Sequence, residues 1–192
     1  MITVNESVLK WVQFVSIMLY VLVAGVMWGT WLSLARTMTN YDAATFLADG
    51  KHMIENLATI MAVLMISAVV TGLVAVVLLF LSRSRVAAWL AAIGLLLMIA
   101  VLVITLAVEV PIDNMIASWT EATLPADWQQ VRARWSTFHT LRTFAAVGAV
   151  AAAVGAGLTA RSAAHEQSPP AEHTPEAPLT TAYVAGRPSP GR

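Results

Sequence analysis

Residues 57–81 read L-A-T-I-M-A-V-L-M-I-S-A-V-V-T-G-L-V-A-V-V-L-L-F-L, and after S-R-S-R at 82–85 a second run follows at 86–107, V-A-A-W-L-A-A-I-G-L-L-L-M-I-A-V-L-V-I-T-L-A. A helix needs about 20 mostly apolar residues to cross the hydrocarbon core of a bilayer. Both runs meet that length, and the four-residue link between them makes them an antiparallel hairpin. Two further blocks qualify on either side, Trp11 to Ala35 and roughly Phe138 to Ala160. With 58% hydrophobic and 11% charged residues in 192, the chain departs from soluble composition. The expected fold is all-α, an integral membrane four-helix bundle over residues 1–161. From 162 to 192 the composition changes: six of the eight prolines fall there, among Ala, Ser, Thr and Glu. Such a segment cannot bury enough surface to order itself and is expected to be a disordered tail.

Charge places the ends. Arg83 and Arg85 in a tiny loop put that loop on the cytoplasmic side. An even number of spans then puts both termini there too, beside Lys10 and Arg161, in a multi-pass cell-membrane protein. Arg36, Lys51, Arg132, Arg134 and Arg142 lie toward the opposite side, so Arg132 and Arg142 fit the rule only if the bundle holds them inside. The first apolar run exceeds a signal-peptide core and reads as a retained span. A formal net charge of zero gives no reason to expect nucleic acid. The absence of cysteine removes disulfide and thiolate chemistry. No pair of broken helices at matching positions suggests a transporter repeat. Gly25 and Gly29, in G-x-x-x-G spacing, are expected to serve helix packing. Trp28 and Trp31 sit where interfacial tryptophans anchor a span.

Outward from the hairpin, residues 109–143 concentrate carboxylates, arginines, tryptophans and a histidine. Pro111 biases Val110 away from helical geometry, so the third span is expected to stop or kink there, with Asp113 and Asn114 in the turn. A new helix starts near Pro125, with Asp127 suited to its positive end. At about 100° per residue, its Trp128, Arg132, Trp135, His139 and Arg142 share an arc of roughly 80°, with Arg134 opposite. Before the second span, Gly50 reads as a break, after which His52, Glu55, Asn56 and Thr59 share one arc. The antiparallel path brings Trp31, His52, Glu55, Glu109, His139 and Arg142 to one end of the bundle, the non-cytoplasmic one. Ionisable groups at membrane depth normally face the interior and mark a functional path. The bland reading is an ion pair, Glu109 with Arg142 or Arg132, stapling spans three and four.

The pattern E-V-P-I-D-N at 109–114, then P-A-D-W-x-x-V-R-A-R-W-x-x-F-H-x-L-R-T at 125–143, resembles the anthrone-oxygenase-like membrane family of small four-helix proteins. Its most distinctive pieces are Pro111, Asp113 and Asn114, then Trp135, His139 and Arg142, and it spans about residues 8–162. Some members oxidise anthrones to anthraquinones, and the resemblance implies no obligatory cofactor. On that reading His139 is a general base, and Arg142 and Arg132 stabilise an enolate or phenolate. Trp128 and Trp135 stack the substrate ring, Glu109 orients His139 or an arginine, and Asn114 hydrogen-bonds a carbonyl. Trp31 and His52 complete the substrate-binding set. The partners expected are the lipid bilayer and a hydrophobic small molecule, with a homo-oligomer left open. Two alternatives stand beside this one. The first is a metal or haem site drawing on His52, Glu55, Glu109, Asp113 and His139. The second is a non-enzymatic membrane binding module or accessory subunit.

Overall fold

The computed structural model describes residues 5–166. Asn5 caps α1, Glu6–Thr30, its side chain accepting the Ser7 N–H at 2.9 Å. The chain then passes through a π-helical turn at Trp31–Ala35 and a 3-10 turn at Met38–Asn40. α2, Ala43–Leu81, is capped by Asp42, whose Oδ1 accepts the Thr45 N–H at 2.8 Å. After Arg83, at φ 62 in the tight turn, come α3, Arg85–Ile104, a π-helical turn at Thr105–Glu109 and α4, Val110–Ser118. α5 runs from Trp128 to Glu166. Four helical rods are thus long and apolar enough to cross a membrane. α1 packs on α2, α2 on α3, α3 on α5 and α5 on α1, which closes an up-and-down four-helix bundle. The chain is a multi-pass membrane protein. The tail expected at 162–192 lies outside the described residues from 167 onward, while α5 itself continues to Glu166.

In lipid no hydrophobic force drives rods together, so close packing at small residues does. Ala68, Ala146 and Ala149 are fully buried in the central layer with Tyr20, Val23, Met27, Met65, Met98 and Val101. At Gly94 a Cβ would sit 3.1 Å from the Ala149 carbonyl oxygen, so α3 and α5 approach backbone to backbone there. Val63, Ile66, Val70, Leu96, Val103, Leu106 and Leu158 point outward, as a lipid-facing surface requires.

Three local expectations change. Pro111 does not end its rod: Val110 is helical, at φ -57 and ψ -45, and Pro111 lies in the first turn of α4. The π turn before it absorbs the backbone mismatch, since proline is tolerated where no N–H is needed. Asp113 and Asn114 are therefore helical. Gly50 is no break either, because the Asp42 cap starts α2 upstream of it; a Cβ there would meet Ile116 Cγ2 at 3.2 Å, so the glycine lets α4 lie against α2. Gly25 and Gly29 are exposed with nothing within 4 Å of a Cβ, so the G-x-x-x-G pair packs no helix of this chain.

Candidate functional site

The face expected on α5 is present. Trp135 and His139 are buried, Trp128, Arg132 and Arg142 half-buried, and Arg134 is exposed. Along the helix axis the face divides into two levels.

At the deeper level Arg142 is the hub. Its Nη1 donates to Thr105 Oγ1 at 2.9 Å and its Nη2 to His139 Nδ1 at 3.0 Å. Glu109 Oε2 lies 3.0 Å from Nη2 as an ion pair. The contact is not aligned as a hydrogen bond, and among the described residues neither Glu109 oxygen nor Arg142 Nε has a hydrogen-bond partner. A guanidinium has only donors, so His139 Nδ1 accepts. Nε2 then carries the proton and donates to the Met27 carbonyl at 3.2 Å, which makes the ring a neutral imidazole. The Trp135 indole stacks on that ring, centroids 4.7 Å apart and planes 11° apart, while its Nε1 donates to Asp113 Oδ1 at 3.1 Å. Thr143 Oγ1 donates to the His139 carbonyl at 2.7 Å.

This network forms the polar end of a cavity of about 220 Å³ lined by all four rods. Thr30, Thr105, Asp113, His139 and Arg142 are its polar lining, and four of the nine methionines, Met27, Met53, Met61 and Met65, are in its apolar wall. An apolar cavity of about 150 Å³ suffices to take up benzene. Methionine sulfur makes favourable, adaptable contacts with aromatic rings. Ile66, Leu106 and Val110 belong both to the wall and to the outer surface, so the cavity opens sideways between α2 and α3–α4.

At the shallower level Arg132 Nη1 donates to the carbonyls of Met38, at 2.8 Å, and Tyr41, at 3.2 Å. Its guanidinium lies 4.8 Å from the Trp128 ring centroid, and Trp128 packs on Phe46 with centroids 5.2 Å apart. Neither residue lines the cavity. Trp31 Nε1 donates to Thr140 Oγ1 at 3.1 Å and its ring packs on Trp28 and Phe144, also away from the cavity.

Of the candidate residues, the structure thus brings together Glu109, Trp135, His139 and Arg142. Trp135 spends its face on the imidazole. His52 and Glu55 share the expected end but not the expected side: both are exposed on α2, as Asn114 is on α4. The set His52, Glu55, Glu109 and His139 therefore does not converge, and among the described residues no group of three or more His, Cys, Asp or Glu is placed to hold a metal. Asp113 and Thr105 are the site residues that sequence reading left out of the catalytic set. With Glu109 they recur at four-residue spacing, a signal hidden by reading a stop or kink at Pro111 with Asp113 in a turn.

No curated protein and no solved structure matches the chain. Residues 52–167, more than half of it, match the family model described as anthrone oxygenase, a segment that begins in α2 and contains the whole Thr105–Glu109–Asp113–His139–Arg142 network. The chain belongs to the anthrone oxygenase family.

Proposed function

We propose that the protein oxidises a flat, hydrophobic phenol or anthrone-like ketone with dioxygen, drawing the substrate from the bilayer into the cavity and needing no cofactor. The observation that carries this reading is an apolar, methionine-lined cavity with a guanidinium at one end. Loss of one proton leaves an enolate or phenolate, and Arg142 stabilises that anion where water does not compete. The electron-rich anion reduces dioxygen directly. For a ring methylene the balance is one dioxygen consumed, one carbonyl formed and one water released. Both termini and the 82–84 turn face the cytoplasm in this arrangement, and the cavity lies in the opposite half of the membrane.

A purely structural staple of α3 to α5 fits less well. Such a staple needs only the Glu109–Arg142 ion pair, whereas Arg142 also donates to Thr105 and His139 and lines an apolar cavity. The test is dioxygen uptake and anthraquinone formation by protein in lipid nanodiscs supplied with anthrone under air. Turnover well above spontaneous oxidation, with one dioxygen per quinone, is expected. Ala62→Phe, which projects a ring from the cavity wall, should remove it. Rates equal to empty nanodiscs reject the reading.

A further inference from the structure

The cavity's polar lining leaves few places for a proton to go. Thr30 Oγ1 donates to the Val26 carbonyl, and Thr105 Oγ1 donates to the Val101 carbonyl while accepting from Arg142. Arg142 has no lone pair to offer. His139 is the obvious base by residue type, but its Nδ1 lone pair receives the Arg142 proton and its Nε2 proton is held by the Met27 carbonyl. Asp113 is different. Trp135 Nε1 fixes Oδ1 at 3.1 Å, and Oδ2 has no hydrogen bond among the described residues although Asp113 is one of the residues lining the cavity. Among the described residues it is the polar lining group whose Brønsted base atom is left without a hydrogen bond.

We infer that Asp113 accepts the acidic proton of the substrate, and that His139 is a positioning residue that holds Arg142 against the resulting anion. This rests on the proposed oxidation and adds its proton path. The substrate C–H or O–H bond breaks, its proton goes to Asp113 Oδ2, and the electron pair stays in the ring system beside Arg142. When dioxygen adds to a ring carbon, the peroxide oxygen takes that proton back and regenerates the carboxylate. Loss of the remaining C–H proton with cleavage of the O–O bond gives the carbonyl and, with the proton, water. Trp135 serves twice, orienting the carboxylate through its N–H and the imidazole through its face.

Proton removal can be read without oxidation. Anthrone in deuterated water without air exchanges its methylene hydrogens only as fast as they are abstracted. The wild-type protein in nanodiscs should accelerate this exchange, and Asp113→Asn should slow it by about 10²-fold or more, the scale of a general base, with Asp113→Glu recovering part. His139→Gln, which loosens Arg142 but leaves the base in place, should slow exchange at saturation only several-fold, far less than Asp113→Asn. Should Asp113→Asn fail to assemble, Trp135→Phe frees Oδ1 and should slow exchange several-fold. Exchange at the wild-type rate in Asp113→Asn, or in Trp135→Phe if that variant has to stand in, overturns the assignment. Wild-type exchange that is never followed by oxidation under air would sink the oxidation reading and leave Asp113 in its role. Oxidation that is intact in Asp113→Asn would do the reverse.

Discussion

Two arginines lie on one face of α5, ten residues apart, roughly 15 Å along the axis at 1.5 Å per residue. Arg132 stacks on Trp128 and gives its hydrogen bonds to two backbone carbonyls, Met38 and Tyr41, where the chain turns from the first rod into the second. It closes a turn. Arg142 faces side chains instead: a hydroxyl, an imidazole and a carboxylate, beside a cavity. The same residue type on the same face thus serves an architectural end in one place and a reactive one in the other. What separates them is whether the partner groups have a second use.

The sharpest way to break this contrast is Arg142→Gln. Losing the donor to the anion should cost about 10²–10³-fold in anthrone turnover, as removal of an oxyanion donor does. A steady-state assay at saturating anthrone checks it. Trp135→Phe keeps the stack on His139 but drops the hydrogen bond to Asp113 Oδ1. The net worth of such a bond, about 0.5–1.5 kcal/mol, makes the expected loss several-fold in turnover, with assembly unchanged by size-exclusion profile. Arg132→Gln should do the opposite of Arg142→Gln. Hydrogen bonds from a charged donor are worth about 1.5–3 kcal/mol, so its thermal midpoint should fall by several degrees while turnover per folded molecule stays at wild type.

The smallest effect sharpens the architectural side. The Thr45 backbone N–H holds the Asp42 carboxyl below the usual carboxylate range. A depressed carboxyl contributes stability above its unfolded pKa and loses it as pH falls through the folded one. Asp42→Asn, which caps without a charge, should therefore remove only the part of the wild-type loss that appears at the acid end of a thermal-midpoint series.

Legibility followed helix regularity. α5 is an unbroken helix from Trp128 to Glu166, so its inward face could be counted out from sequence, including the outward Arg134. The four spans were legible because lipid demands long apolar runs. The third rod was not read correctly around Pro111, because a π turn inserts an extra residue and keeps the rod going, which a 3.6-residue period cannot show. That turn carries Glu109 into the core and sets Asp113 against Trp135. His52 and Glu55 were assigned to the right end and to one shared face, but nothing in a single apolar run says which face of α2 meets its neighbours. Trp128 and Arg132 had the right face and the wrong level, since depth depends on where the Met38–Tyr41 turn docks.

The most direct single measurement is dioxygen uptake with anthrone by wild type, Arg142→Gln and Arg132→Gln, each per folded molecule in the same nanodiscs. The expected result is an Arg132→Gln rate equal to wild type and an Arg142→Gln rate close to spontaneous oxidation. Equal rates for all three proteins, or an equal collapse in both variants, would contradict the assignment of the deeper arginine to chemistry and the shallower one to the fold.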